Sequence, residues 1–234
     1  MRLDRFLSET TELTRSLAKK AMHRGEVCVN RETVKNPATQ VDTDHIVTWN
    51  GERLALVGLR YVMLNKPSGF ECTARRGLYP RVVDLIDLPK AERLQPVGRL
   101  DVDTTGFLLL TDDGQWSHRV SSPKRRFGKV YRAMLADSLT GEALEQAVKR
   151  FAQGIELEGE EVPMRPAELV MRTDTEAQLT LYEGKYHQVK RMFAAIGHHV
   201  EALLRETIGP LTLDASLAPG EWRELDAQEI AAFT

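Results

Sequence analysis

The apolar run Phe107-Leu108-Leu109-Leu110 constrains this chain more than any other feature. Such a run, bounded by turn signals, reads as a buried strand. It is entered from a polar, turn-prone stretch, Gly98-Arg99-Leu100-Asp101-Val102-Asp103-Thr104-Thr105-Gly106, and closed by Asp112-Asp113-Gly114. Two carboxylates, Asp101 and Asp103, therefore sit at the mouth of a buried strand. Arg99 is long enough to tie the loop down through carboxylate or backbone hydrogen bonds, while Gly98 and Gly106 permit backbone turns that a Cβ would obstruct. Such a loop either holds one carboxylate at a fixed point for chemistry or is an ordinary surface turn, in which Asp and Gly are common anyway.

The chain has 234 residues, enough for one large domain or for a small domain plus a larger one. Lys and Arg number 32 against 34 Asp and Glu, a net charge of -2, so any nucleic-acid site must be a local basic patch. Cys28 and Cys72 lie far apart without Cys-x-x-Cys spacing, which favours free thiols in a reducing compartment. The first residues lack the apolar core of a signal peptide, and no stretch approaches the roughly 18 apolar residues of a membrane span. These features point to a cytoplasmic protein without a membrane partner.

Near the N-terminus, Leu3, Phe6 and Leu7 fall at helical spacing. A second helix starts near Thr14, carries Leu17, Ala18, Ala21 and Met22 towards a core, and ends at Gly25. Its other face is basic, with Arg15, Lys19 and His23 at i, i+4 and i+8 and Lys20 and Arg24 beside them. That face either contacts RNA phosphate or is simply solvated. Val27 to Arg31 and His45 to Trp49 read as small strands, the second running into an Asn50-Gly51 turn. Gly51 to Arg60 is a short linker.

Beyond the linker, Tyr61 to Leu64 reads as a strand broken by the turn Asn65-Lys66-Pro67-Ser68-Gly69, with a hairpin to follow. Lys66 is either functional or, more simply, part of the turn. Residues 73 to 81 form a basic irregular stretch. Trp116 to Val120 is a short helix, and Pro123-Lys124-Arg125-Arg126-Phe127-Gly128-Lys129 is the densest basic cluster in the chain. Lys129-Val130-Tyr131-Arg132-Ala133-Met134-Leu135 alternates as a strand does. Leu139 to Phe151 is a helix with Leu144, Ala147, Val148 and Phe151 on its apolar face, ended by Gly154. A strand at Leu179 to Tyr182 precedes a helix from Lys185 to Gly197, with Val189, Phe193 and Ile196 on one face, and Val200 to Gly209 follows. A metal reading of the six histidines fails on geometry, because adjacent His198 and His199 in a strand would point to opposite faces.

The motif Gly-Arg-Leu-Asp-x-Asp-Thr-x-Gly-Phe-Leu-x-Leu-Thr resembles the catalytic motif of a pseudouridine synthase family, the one typified by the small-subunit (16S) ribosomal RNA enzyme. Leu64-Asn65-Lys66-Pro67-Ser68-Gly69, Lys129-Val130-Tyr131, Glu183 to Phe193 and Val200 to Gly209 match the same family in order. Residues 1 to 58, with Arg2 to Leu7, the basic helix and Gly25 to Asn30, resemble the small RNA-binding domain first known from ribosomal protein S4. The resemblance implies an α+β chain: a small S4-like domain over 1–58, then a catalytic domain over 61–234 with a mixed, mainly antiparallel sheet flanked by helices and loops.

It also implies roles. Asp101 would be the catalytic carboxylate, Tyr131 the active-site tyrosine, and Lys190 the cation paired with Asp101, with Arg191 as the alternative. Arg99, Leu203 and Arg191 would touch the substrate nucleotide, Leu203 being equally readable as core. Arg15, Lys19, Lys20, Arg24, Lys124, Arg125 and Arg126 would hold RNA. Phosphate contacts of this kind position RNA without reading it. The implied reaction breaks the bond from uracil N1 to ribose C1′, turns the base and joins C5 to C1′. It involves no redox change or outside group, so no cofactor or metal is expected. The target base must leave its stack. Asp101 would act ionised, either as nucleophile at C1′ or as base towards a ribose proton.

Asp-Thr-Thr-Gly and Lys-Tyr-His-Gln-Val-Lys-Arg favour 16S ribosomal RNA, at uridine 516 by the resemblance, over a 23S enzyme of the same family. A partly assembled small ribosomal subunit is the expected partner, and a monomer the expected state. The rivals are a nucleoside or glycoside hydrolase, for which Asp103 is the only obvious second carboxylate, and a non-catalytic ribosome-assembly protein.

Overall fold

The structure is a computed structural model that describes every residue except Thr43, Leu56, Val57, Pro123 and Thr234. Part of the expected linker and Pro123 of the basic cluster therefore lie outside the described residues. The chain divides into two compact units, Met1–Gly58 and Leu59–Thr234.

In the first unit, helices α1 (Leu3–Thr10) and α2 (Arg15–His23) precede strands β1 (Val27–Val29), β2 (Glu32–Thr33), β3 (Val47–Trp49) and β4 (Glu52–Leu54). The strands form an antiparallel sheet in the order β2-β1-β3-β4. Both hairpins turn through two residues of positive φ, Asn30 and Arg31 in one and Asn50 and Gly51 in the other. That is the geometry whose twist suits two-residue hairpins. Thr14 caps α2 by accepting from the Leu17 amide. Leu3, Phe6, Leu7, Ala18, Ala21 and Met22 are buried with Val27, Val29, Val41 and Val47 in one core. Leu17 was expected in that core but is 45% exposed. The buried stripe of so short a helix holds Ala18, Ala21 and Met22, and Leu17 lies beside it rather than on it. Arg15, Lys19 and Lys20 are exposed; Arg24 is also exposed but paired with Glu26.

The second unit is a mixed sheet with flanking helices. In chain order it contains β5 (Tyr61–Lys66), β6 (Gln95–Val97), β7 (Thr105–Thr111), α3 (Gly114–Ser121), β8 (Lys129–Leu135), α4 (Gly141–Gln153), β9 (Glu168–Met171), β10 (Glu176–Leu181), α5 (Gln188–Ala194), β11 (Val200–Ile208), β12 (Leu211–Thr212), β13 (Trp222–Glu224) and α6 (Ala227–Ala231). The strand order is β13-β5-β7-β11-β8-β10-β9, with β6 beside β7 and β12 beside β11. Only β7 and β11 pair in parallel among the described strands.

The apolar run sits in β7, near the middle of this sheet, and is hydrophobic at every position because it serves two cores. Leu108 and Leu110 join the cluster that contains Phe151 and Phe193, while Phe107 and Leu109 join the cluster of Trp116 and Phe233. Alternate side chains of a strand point to opposite faces, so a strand covered on both sides has no place for polar residues. Trp116 meets Tyr61 and Phe233 edge to face, with ring centroids 5.1 and 5.3 Å apart.

Three local expectations are corrected. No hairpin follows β5 among the described residues; between Gly69 and β6 the chain makes an isolated bridge, Glu71 to Arg81, and β5 instead pairs with β7 and β13. In α4, Val148 is 38% exposed, since Ala147 and Phe151 take the inward positions. Helix α5 begins at Gln188, not at Lys185, because His187 adopts φ 47° and so cannot be part of the first turn.

Candidate active site

Asp101 lies on the loop between β6 and β7, where the Thr104 amide donates to the Asp101 carbonyl at 3.1 Å to close a turn. The loop is anchored from below by the Leu64-to-Gly69 segment. Lys66 is completely buried, and its ammonium donates to the carbonyls of Thr104 (2.8 Å), Pro67 (3.0 Å) and Val102 (3.1 Å). The Gly69 amide also donates to the Val102 carbonyl at 2.9 Å. Cys72 Sγ accepts from the Leu100 amide, and burial pushes both the Cys72 thiol up and the Lys66 ammonium down from their ordinary pKa values. Lys66 is thus the tie that the sequence reading assigned to Arg99. Arg99 itself is exposed at the cavity rim and makes no side-chain hydrogen bond or ion pair among the described residues.

Beside Asp101 opens a cavity of about 440 Å³, a size suited to a nucleotide-scale ligand. Its floor is one face of the sheet. Across the β8–β11 pair, Tyr131 stands opposite Arg205 and Ala133 opposite Leu203, and an irregularity between Arg205 and Thr207 brings Ile208 opposite Lys129. On the other side of β8, Leu181 stands opposite Lys129. Directly opposed residues share a face. Lys129, Tyr131, Leu181, Leu203, Arg205 and Ile208 accordingly all line the cavity.

The site brings together Asp101, Arg99, Tyr131 and Leu203 around this one space. Tyr131 and Leu203 are 8% and 6% exposed, so each forms a largely sheltered wall. Lys190 and Arg191 stand elsewhere. The Lys190 ammonium contacts Asp103, at 2.6 and 2.7 Å, instead of Asp101, and holds the Asp103 carboxyl below the usual carboxylate range. Arg191 binds Glu160 and the backbone carbonyls of Tyr186 and Glu158, so it clamps the 158–160 loop rather than facing the cavity. The shortened α5 is the physical reason: with its first turn at Gln188, the approach to Asp101 falls to His187, whose Nε2 is 3.4 Å from Asp101 Oδ1. The His187 ring stacks on Tyr186, centroids 3.8 Å apart, and Tyr186 is 71% exposed.

Two further cations, to which the sequence motifs assign no role, line the same cavity. Lys129 lines the cavity with its pKa lowered by burial and by the nearby Arg205 charge, and Arg205 is 1% exposed. A signal for Arg205 was present: in Val200–Ile208 it occupies an inward position two residues after Leu203, where alternation calls for an apolar side chain. Lys124, Arg125 and Arg126 are exposed on the loop after α3, between the cavity-lining Ser122 and Phe127.

Comparison with known proteins follows the same division. A model of the RNA pseudouridylate synthase family matches residues 60–195, and one of the S4 domain matches residues 1–47. The chain is 47% identical over 232 residues to the ribosomal small subunit pseudouridine synthase A of Vibrio parahaemolyticus, covering 98% of each chain. To the protein of that name from Escherichia coli K12 it is 45% identical over 233 residues, covering 99% of each. A crystal structure of a pseudouridylate synthase aligns over the whole of both chains, with 44% identity and a TM-score of 0.71. Among the described residues no helix is long and apolar enough to cross a membrane.

Proposed function

Because the chain belongs to the RNA pseudouridylate synthase family, we propose that it converts a single uridine of small-subunit ribosomal RNA to pseudouridine, with Asp101 as the catalytic carboxylate. The observation that carries this reading is the position of Asp101: on a loop anchored through three carbonyls by buried Lys66, at the rim of a nucleotide-sized cavity walled by Tyr131 and Leu203. A carboxylate held in this way is preorganised for a reacting ribose. The target nucleotide leaves its stack and enters the cavity, where the base packs against Tyr131 and Leu203 on the sheet face. Asp101 then attacks C1′ or removes a ribose proton as the N1–C1′ bond breaks; the base turns, and C5 joins C1′ as the Asp101–C1′ bond breaks in the first route or Asp101 returns the proton in the second, the C5 proton being lost and N1 gaining one. Lys190 acts as a positioning residue through Asp103, and the exposed Tyr186 ring is a stacking surface for a neighbouring nucleotide.

The small-subunit substrate is supported by the names of the full-length relatives, and the family resemblance points to uridine 516. Lys124, Arg125 and Arg126 at the cavity margin, with Arg15, Lys19 and Lys20 of the S4-like unit, supply phosphate contacts. A net charge of -2 leaves little unspecific attraction for RNA, so selectivity rests on both units engaging one folded target. The preferred substrate is therefore a partly assembled small subunit in the cytoplasm, bound by a monomer.

Asp101→Asn tests the assignment, since it keeps side-chain size and removes the ionisable oxygen. Tritium release from RNA labelled at uridine C5 is expected to fall at least ~10²-fold, with RNA affinity within a few-fold of wild type. Turnover above about one per cent removes Asp101 from the mechanism. Initial rates on a partly assembled particle, protein-free 16S RNA and completed subunits test the substrate: the partly assembled particle is expected to react fastest. Equal rates on all three overturn the two-contact account, and modification confined to 23S RNA overturns the substrate.

A further inference from the structure

We propose that Arg205 is a base-binding residue of this site, donating a hydrogen bond from Nη2 to a carbonyl oxygen of the target uracil and stabilising the charge that the base carries while detached. This deepens the reading given above and rests on it. The guanidinium is oriented by its own Nε, which donates to the Phe107 carbonyl at 2.8 Å. Its Nη2 is sheltered from solvent and has no hydrogen-bond partner among the described residues, although Arg205 lines the cavity that holds Asp101. An unpartnered buried donor on a charged group is costly, and proteins seldom leave one without a purpose. Arg205 takes part in no ion pair described in the structure, and the nearby Lys129 is a second positive charge on the same face.

A second orphan stands in the same place. Thr104 Oγ1 is buried and unpartnered, and Thr104 also lines this cavity. The other orphaned atoms found among the described residues, on Arg60, Arg119 and His198, belong to residues that do not line it. Unsatisfied hydrogen-bonding capacity thus gathers where the base would enter. The pairing edge of uracil presents acceptor, donor, acceptor in the order O2, N3–H, O4. An arginine only donates, so it must meet O2 or O4, whereas a hydroxyl serves either kind of group.

The charge argument agrees. When the N1–C1′ bond breaks, its electron pair stays with the base, and the resulting anion spreads onto O2 and O4. A fixed guanidinium and the adjacent Lys129, in a site partly closed to water, favour that anion over the neutral bound base. When C5 bonds to C1′ the C5 proton is lost and N1 gains one, so the charge is discharged and the atoms balance.

The test uses the full-length wild-type, Arg205→Met and Arg205→Lys proteins on partly assembled small-subunit particles reconstituted on 16S RNA that carries uridine, 2-thiouridine or 4-thiouridine at the target by splinted ligation. Sulfur is a poorer acceptor than oxygen, and comparing proteins cancels its intrinsic effect on the chemistry. Single-turnover rates, RNA affinity and thermal unfolding are measured. With uridine, Arg205→Met is expected to slow the reaction ~10²-fold or more while RNA affinity stays within about threefold. The uridine-to-thiouridine rate ratio is expected to differ between wild type and Arg205→Met by at least about fivefold at one position, the size of one net hydrogen bond. A purely structural arginine would leave that ratio unchanged, so a difference below about fivefold at both positions overturns the proposal. If Arg205→Met does not fold, the same criterion is applied to Arg205→Leu, because the lysine variant can still donate to the same oxygen. Absence of pseudouridine with wild type on uridine RNA refutes the function itself, whereas turnover with an unchanged thio ratio refutes only this inference.

Discussion

Gly106→Ala measures how closely β7 and β11 approach beside the Asp101 loop. Gly106 has φ +94°, and a Cβ built on it would stand 2.4 Å from the Arg205 carbonyl oxygen, 2.9 Å from Leu204 Cγ and 3.0 Å from the Arg205 nitrogen. The left-handed backbone costs an alanine ~1–2 kcal/mol. A clash with backbone cannot be relieved by turning a side chain, and forcing the strands apart adds ~1–3 kcal/mol. The total of ~2–5 kcal/mol is a large part of the ~5–15 kcal/mol that holds a typical domain together, and it corresponds to a fall in Tm of ~4–20 °C. Gly98→Ala is the control, because Gly98 has φ +74° but open space where the Cβ would go; only the first ~1–2 kcal/mol applies to it. Urea unfolding followed by tryptophan fluorescence is expected to place Gly106→Ala ~1–3 kcal/mol below Gly98→Ala. Because the same movement displaces the Asp101 loop, tritium release by folded Gly106→Ala is expected to drop by ~10²-fold for a shift of about 1 Å. Equal stability of the two variants within ~0.5 kcal/mol, well inside the clash cost, would refute the close-approach argument.

Three further outcomes are expected. Lys66→Met strands the carbonyls of Pro67, Val102 and Thr104, so stability falls by ~2–4 kcal/mol and the rate falls further than the loss of folded protein accounts for; a rate that tracks the folded fraction would exclude the anchoring role. Tyr61, pushed up to about 12 by burial and by its bond to the Asp113 carboxylate, is expected to contribute a phenolate step near pH 12 to an ultraviolet titration, a step missing from Tyr61→Phe. Its raised pKa contributes stability that is complete below about pH 10 and is lost as pH rises towards 12; Tyr61→Phe should abolish that part of the alkaline loss. Deleting residues 1–58, a unit with its own core, is expected to leave a folded catalytic unit that binds RNA more weakly and with a shallower salt dependence, and unchanged binding in a salt titration would show that this unit does not hold RNA.

Much of this architecture is legible locally. The four apolar residues of β7 announce a strand between two cores, since period-two geometry leaves no other way to bury all of them. The two hairpins of the small unit follow from the left-handed tolerance of Asn30, Asn50 and Gly51, and α2 begins where a threonine can cap it. Asp101 and Tyr131, which line one cavity, are legible as site candidates because each lies in a contiguous motif.

What tertiary structure decided depends on which distant atoms meet. Leu17 and Val148 fit a helical stripe yet face water, because the width of a buried stripe is set by the neighbouring element and not by the helix. Lys66, part of a turn on sequence grounds, is completely buried, and three carbonyls from two separate segments converge on its ammonium. Lys190 pairs with Asp103 and leaves His187 beside Asp101, an outcome set by where α5 begins, which φ at His187 controls and helical periodicity does not. Arg205 becomes an unsatisfied donor in the cavity only through strand register: Tyr131 stands opposite it on β8 and Gly106 on β7, partners some seventy and a hundred residues away along the chain. Propensity and patterning act over a few residues and so determine elements. Register, burial and ion pairing are properties of contacts between elements, and only the folded chain selects among the partners that local rules allow.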